Sequence, residues 1–242
     1  MKSAKTLSIR PLSVFLGLLF PPRCAFCRKL LGRGEEGLCG ACEKNLPWTG
    51  SSALQKGGEF YSACAAPLWY QATVRDSFHR YKFRGTSGYA GVYGRLMADC
   101  IREQLAGRYD LVTWAPLSPR RLKKRGYDQA MLLASAVALE LGDVAVSTLE
   151  KVRETEAQSG LGSDPGVRRA NVLGAYRVTD PELILGRRVL LIDDIVTTGA
   201  TLSECARSLR AAGAADVVCT ALARAGTASV SCGSSEAVSG AR

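Results

Sequence analysis

The chain is poor in histidine, poor in acid and without a long apolar run. Its single histidine, His79, has no evident nucleophile or metal partner in the sequence and reads as a surface residue. No apolar stretch reaches the roughly 20 residues that a membrane-spanning helix needs. One run, Leu12 to Phe20, follows Lys2, Lys5 and Arg10 as the core of a secretion signal would. It ends in Pro21-Pro22-Arg23 with no small-x-small cleavage site, so it reads as a short apolar helix packed on the main domain. Asp and Glu total 22 against 32 Lys and Arg, a formal net charge of +10. That imbalance suits an anionic partner, either nucleic acid or a phosphorylated metabolite. No internal repeat is visible.

What the chain does have is a globular composition, 47% hydrophobic and 22% charged, and 242 residues, enough for one ordinary domain plus a small one. It also has nine cysteines. Four form two C-x-x-C pairs, Cys24/Cys27 and Cys39/Cys42, separated by eleven residues. Paired thiolates at this spacing read as one tetrahedral, structural zinc site, because four cysteines leave no open position for catalysis. The other five, at positions 64, 100, 205, 219 and 232, lack the spacing, and Cys205 and Cys219 fall in apolar settings as small core residues. The odd total and the metal-like pairs favour a reducing, cytoplasmic compartment over a disulfide framework.

Three parts follow along the chain. Residues 1–50 hold the apolar segment and the four-cysteine ribbon. Thr49 to Gly58 reads as a linker, rich in Gly and Ser. Residues 60–225 alternate strand-like and helical segments. Ala63 to Tyr70, Leu111 to Leu117, Val189 to Ile192 and Asp216 to Leu222 are the strands. Val74 to Phe83, Tyr89 to Leu105, Asp128 to Leu141 and Ala200 to Ala212 are the helices. This alternation predicts an α/β fold, a parallel sheet flanked by helices. The remaining 226–242 is a Gly/Ser/Ala-rich tail that reads as disordered.

The densest signal is Val189 to Ala206. Val189-Leu190-Leu191-Ile192 has the unbroken apolar character of a strand covered on both faces. The strand gives way to Asp193-Asp194, then to Thr197-Thr198-Gly199-Ala200-Thr201, then to a helix. Ligands of open α/β sheets bind beyond the carboxyl ends of strands. A Gly-containing turn, hydroxyls and a helix N-terminus make a phosphate cradle. It is not a Walker loop, because it lacks the lysine. The two carboxylates would repel a phosphate in direct contact, but they are pure acceptors suited to a vicinal diol. A ribose 5-phosphate fits both halves.

Two basic stretches stand apart. Arg120-Arg121-Leu122-Lys123-Lys124-Arg125 carries five positive charges in six residues, read as a loop over the sheet's carboxyl end. It suits pyrophosphate, a nucleic-acid backbone or a solvated face. His79 to Gly85 mixes bases with aromatics, as stacking on single strands requires; it equally suits a helix end with Tyr81 or Phe83 in the core.

The segment from Asp193 resembles the phosphoribosyl pyrophosphate (PRPP) signature of type I phosphoribosyltransferases. Further motifs resemble the ComF family. They are Pro21-Pro22-Arg23-Cys24-x-x-Cys27, Lys82-Phe83-x-Gly85, Arg121-x-x-x-Arg125-Gly126-Tyr127-x-Gln129, and Arg153-x-Thr155-x-x-Gln158-x-x-Leu161 followed by Arg168-x-x-Asn171. The likeness covers nearly the whole chain except the tail. It implies a type I phosphoribosyltransferase-like domain behind a zinc ribbon, with PRPP and magnesium as donor. It implies that Asp193 and Asp194 hold the ribose, that Thr197, Thr198, Gly199, Ala200 and Thr201 hold the 5-phosphate, and that Lys82, Arg121 or Arg125 neutralise the pyrophosphate. Thr155 to Arg169 would be a mobile loop closing over the sugar, or a plain surface loop. The family also implies a link to DNA uptake and natural transformation, with single-stranded DNA and a DNA-uptake helicase as partners. Two departures stand out: Asp128 takes the place of a usual asparagine, and only Cys64 stands near the usual second cysteine set, so one zinc per chain is expected. The same residues would also serve a domain that binds PRPP or a nucleotide without turnover, or an accessory protein that binds single-stranded DNA. The linker predicts that losing Cys24 unfolds the ribbon and spares the α/β domain.

Overall fold

Val189, Leu190, Leu191 and Ile192 are fully buried inside the sheet. The computed structural model describes residues 21–83, 88–155 and 165–226. After the first cysteine pair, helix α1 (Gly40–Asn45) carries Cys42. Strands β1 (Leu54–Lys56), β2 (Ala63–Ala65) and β3 (Leu68–Trp69) lead to helices α2 (Ala72–Phe83) and α3 (Tyr89–Gln104). Next come β4 (Leu111–Trp114), α4 (Pro119–Arg125), α5 (Gln129–Leu141), β5 (Leu149–Lys151), α6 (Pro165–Val172) and β6 (Tyr176–Val178). The chain closes with β7 (Arg188–Val196), α7 (Ala200–Ala211) and β8 (Asp216–Arg224).

The main sheet runs β1-β2-β8-β7-β4, with β3 pairing further along β8. The β2–β8, β8–β7 and β7–β4 pairs are parallel, as predicted, and β1 adds an antiparallel edge. Alternate residues of β7 serve opposite faces. Leu190 and Ile192 join α2, α3 and α5 in one core, while Val189 and Leu191 join α7, β5 and β6 in the other. On the first face α3 and α5 cross closely: a Cβ on Gly94 would lie 2.5 Å from that of Ala136.

Five departures from the sequence reading bear on the site and its support. Residues 49–58 contain a short 3₁₀ turn (Gly50–Ser52) and strand β1, so they are folded rather than a plain linker. Pro119 to Arg125 is a helix, not a loop. Ser118 caps it by accepting from the Arg121 backbone N–H, Pro119 occupies its first turn and Gly126 ends it in the left-handed conformation. Residues 165–169 of the expected loop belong to helix α6, and β5 and β6 form a separate antiparallel pair. Strand β7 continues through both aspartates to Val196 instead of ending at Asp193. The apolar segment 12–20, the tail 227–242 and the motif residues Gly85, Gln158 and Leu161 lie outside the described residues.

The fifth departure concerns the ribbon, which shares its core with the sheet domain. Cys24, Ala25 and Phe26 are buried with Phe78, Tyr81, Tyr93 and Met97 in one continuous cluster. Phe26 meets Tyr93 edge-on at 5.6 Å between ring centroids. An expectation that the ribbon unfolds alone therefore gives way to one of joint unfolding. Phe26→Ala should cost about 3–5 kcal/mol, the usual range for emptying a buried aromatic site. The loss should appear in a single transition, whether followed by far-UV circular dichroism or by tyrosine absorbance. Two transitions, with only the first moved, would show instead that the ribbon is autonomous.

Candidate functional site

The site is created by a difference in strand length. β4 ends at Trp114, opposite Ile192, while β7 runs on beside β8 to Val196. Asp193 and Asp194 therefore lie on the stretch of β7 that β4 no longer covers. Each carboxylate folds back on the chain: Asp193 Oδ1 accepts the Asp194 N–H at 2.8 Å and Asp194 Oδ1 accepts the Ile195 N–H at 2.6 Å. Burial, and then the charge of Asp194, push the Asp193 carboxyl well above the ordinary carboxylate range, with Lys82 working in the opposite sense.

Cations reach this pair from two sides. On one side, Lys82 in the last turn of α2 places Nζ 3.7 Å from Asp194 Oδ2. Arg125, at the end of α4, donates to Gln129 Oε1 at 2.7 Å and sits 5.6 Å from the Phe83 ring; Asp194 supports its charge against partial burial. On the other side, Arg121 donates to the Thr155 carbonyl, and Lys151 Nζ donates to the Thr155 hydroxyl at 2.9 Å. Lys151 lies 4.9 Å from the Tyr176 ring centroid. Burial, and then the nearby Arg121 charge, pull its ammonium down to about 8, while Asp193 opposes the shift.

Beyond Asp194 the chain turns through Thr197 and Thr198, both exposed. Gly199 begins α7 with a φ of 73°, and a Cβ there would come within 2.9 Å of the Tyr61 hydroxyl. Arg168 of α6 donates to Thr197 Oγ1 at 2.9 Å. Thr198, Gly199, Ala200, Ser203, Tyr61 and Arg169 line a cleft of about 80 Å³ at this turn. The expected residues are thus adjacent: Asp193, Asp194 and Lys82 directly, Arg121 and Arg125 around them, and the Thr197–Thr201 turn next in the chain. Lys151 and Tyr61 were not singled out from the sequence. Nothing in Leu149-Glu150-Lys151 marks a buried cation until the fold places β5 under Tyr176.

The four cysteines form a second centre. Their Sγ atoms all lie within 4.8 Å of one another, and those of Cys27 and Cys39 are 3.6 Å apart. Zinc–sulfur bonds of about 2.3 Å in a tetrahedron set sulfurs about 3.8 Å apart, so the donor set fits zinc. It is the single such group among the described residues. Cys64 lies buried in β2 beside Cys219, away from the knuckle.

Two family models match this chain: a phosphoribosyl transferase domain over residues 122–230 and a double zinc ribbon domain over residues 15–71. Competence protein F of Haemophilus influenzae is 29% identical over 224 residues, covering 84% of this chain and 97% of that protein. DNA utilization protein YhgH of Salmonella typhi is 30% identical, covering 83% and 96%. Competence protein ComFC of Streptococcus pneumoniae is 32% identical over 155 residues, covering 64% and 65%. The chain belongs to the ComF family. Its fold is accordingly that of a phosphoribosyltransferase domain joined to an N-terminal zinc ribbon. Among the described residues no helix is long and apolar enough to cross a membrane.

Asp128, where the family resemblance leads one to expect asparagine, is 6% exposed. It caps α5 through the Ala130 and Met131 N–H groups, at 3.0 and 3.2 Å, and its other oxygen accepts the Leu117 N–H at 2.8 Å. His79 is exposed and packs on Phe83 at 4.8 Å between ring centroids.

The depressed Lys151 ammonium would make the binding of an anion held by it pH-dependent. The folded chain loses this proton near pH 8, the unfolded chain near 10.5, so stability rises with pH through that window. Affinity for an anion held by Lys151 moves the other way and falls as the pH passes 8. Calorimetric titration with inorganic pyrophosphate should show this fall in the native protein and not in Lys151→Arg, whose guanidinium stays charged. Identical profiles for the two proteins would remove Lys151 from the anion site.

Proposed function

We propose that this ComF-family protein binds PRPP with magnesium and transfers its phosphoribosyl group. The reading is carried by one arrangement: Asp194, paired to Lys82 at 3.7 Å, stands directly before the Gly199 turn that opens α7. In this reading the ribose hydroxyls donate to Asp193 and Asp194, and the 5-phosphate lies against the Thr197–Thr201 turn. The pyrophosphate faces Lys82, Arg121, Arg125 and Lys151. As the bond from the anomeric carbon to pyrophosphate breaks and one to the acceptor nucleophile forms, charge grows on the leaving pyrophosphate, and fixed cations stabilise it most when water is excluded. Magnesium, carried in with PRPP, would neutralise further pyrophosphate charge. The knuckle thiols suit a reducing compartment.

Calorimetry with PRPP and magnesium tests the reading. Asp194→Asn replaces a charged acceptor; hydrogen bonds to charged groups are worth about 1.5–3 kcal/mol, so affinity should fall tenfold or more. Unchanged affinity would remove the carboxylate from the ribose site. A pyrophosphate-release assay with candidate acceptors then separates enzyme from module, since tight binding with no release favours a non-catalytic sensor of PRPP.

The relatives named for competence and DNA utilization, and the cations of helix α4, support a second role with single-stranded DNA, and a helicase partner is the family-level extension of that role. Arg121 and Arg125, four residues apart, face inward, while Arg120, Lys123 and Lys124 are exposed. Lys123→Gln with Lys124→Gln should weaken oligonucleotide binding alike for all sequences and leave PRPP affinity unchanged. The salt slope should become shallower by about 1.4, given about 0.7 per phosphate contact on single strands. No oligonucleotide binding even at low salt would remove the DNA role. Complete displacement of the oligonucleotide by PRPP would merge the two sites into one.

A further inference from the structure

The knuckle between the first two cysteines is built against the helix that supplies Lys82. Its carbonyls at Ala25 and Phe26 point at α2. Ser77 Oγ donates to Ala25 O at 2.5 Å, and Arg80 Nη2 donates to Ala25 O at 3.2 Å and to Phe26 O at 2.6 Å. Both carbonyls belong to the residues held between Cys24 and Cys27, two of the four zinc-fitting thiols. Arg80 has no carboxylate in ion-pair range among the described residues, and its Nε is buried without a hydrogen-bond partner. Its guanidinium is therefore fixed by the knuckle carbonyls.

From Arg80 the helix leads straight into the site. Tyr81 is fully buried and donates to the Gln129 carbonyl at 3.1 Å, while Tyr127 donates to the Tyr81 carbonyl. Lys82 then reaches Asp194. A parallel path runs through Tyr93, whose ring centroid lies 5.6 Å from that of Phe26 and 5.4 Å from that of Tyr81, and whose hydroxyl lies 2.5 Å from the Ser77 hydroxyl. Two residues of helix span about 3 Å, so a shift of α2 at Arg80 passes almost undiminished to Lys82. The Lys82–Asp194 ion pair, 3.7 Å long, lies at the end of that path.

We propose that the zinc knuckle positions α2, through Arg80 and Ser77, so that zinc in the ribbon and PRPP in the sheet domain bind with positive coupling. The proposal rests on the PRPP reading above. Zinc, when bound, fixes the four sulfurs and with them the direction of the Ala25 and Phe26 carbonyls. Arg80 and Ser77 carry that direction to α2 as positioning residues; neither touches the ligand. Coupling of this kind is reciprocal, so PRPP must retain zinc by the same factor that zinc favours PRPP.

The test uses the full chain. Zinc affinity is measured by equilibrium competition with a chromophoric chelator, with and without PRPP and magnesium, and PRPP affinity is measured by calorimetry. In the native protein PRPP should tighten zinc binding roughly tenfold, within the usual range for coupled sites. Arg80→Met should keep one zinc per chain by metal analysis, and it should bind PRPP roughly tenfold more weakly. Its zinc affinity should no longer respond to PRPP, an outcome that a merely structural role would not give. Arg80→Lys, which keeps the charge but not the double reach, should fall between. If Arg80→Met does not fold, Ser77→Ala gives the same comparison by deleting one oxygen. Native protein that binds PRPP yet holds zinc with unchanged affinity overturns the coupling alone, as does an Arg80→Met variant with native affinity and native response. Native protein that does not bind PRPP overturns both the coupling and the reading beneath it.

Discussion

The run of β7 beyond the end of β4 is the constraint from which the site follows. It leaves two adjacent carboxylates half-buried on a strand, where charge is costly and must be answered. Backbone N–H groups answer part of it, and Lys82 answers part. What remains is a pair of acceptor carboxyl groups set among positive groups that are themselves only partly neutralised. Lys151 and Arg121 share Thr155 as a hydrogen-bond partner, and neither is in ion-pair range of a carboxylate among the described residues. Such a site is poised rather than satisfied. A ligand with hydroxyl donors at one end and anionic oxygens at the other completes both halves.

Those cations come from separate elements, so the site is only as well built as the packing between them. Lys82 depends on α2, and α2 depends on the knuckle and on the Tyr81–Tyr93–Phe26 ring cluster. Lys151 depends on β5 and β6, held under α7 by Tyr176 and Leu149. The zinc ribbon is therefore part of the support for the site, and the two cores on either face of β7 each deliver one set of charges.

How much of this could be read in advance follows from the range of the interactions. The strand, the two aspartates, the turn and α7 lie within one short segment, and their chemistry is local, so order and residue type sufficed. The cysteine spacing was equally local. Lys151 and Arg80 were not legible, because each acquires its meaning from a partner far away in the chain: Tyr176 for one, Ala25 and Phe26 for the other. Helix α4 did carry signals, in Ser118-Pro119 and Gly126, but its charge density suggested a loop. Like-charge repulsion is a weak force at a solvated surface, and here the caps at both ends outweigh it. The continuation of β7 through Asp193 and Asp194 was hidden for a different reason. Polar residues usually end a buried strand, yet pairing with β8, which stays buried from Val217 to Arg224, continues as far as Val196.

The departure at Asp128 shows how α4 is held. The segment from Ser118 to Gly126 leaves the sheet after β4 and returns at α5, and Asp128 ties its two ends together. One carboxylate oxygen takes the Leu117 N–H before the segment, and the other takes the first N–H groups of α5 after it. A carboxylate can accept on both oxygens, whereas an amide has one acceptor oxygen and a donating nitrogen. An asparagine here could cap α5 or hold Leu117, but in this geometry its nitrogen would face another N–H. Burial raises the Asp128 carboxyl above its ordinary range, and these three donors pull the other way, favouring the charged form. The residue is turned inward, with both oxygens committed to backbone, so its work is to fix the base of α4. Arg121 and Arg125 are presented to the site from that base.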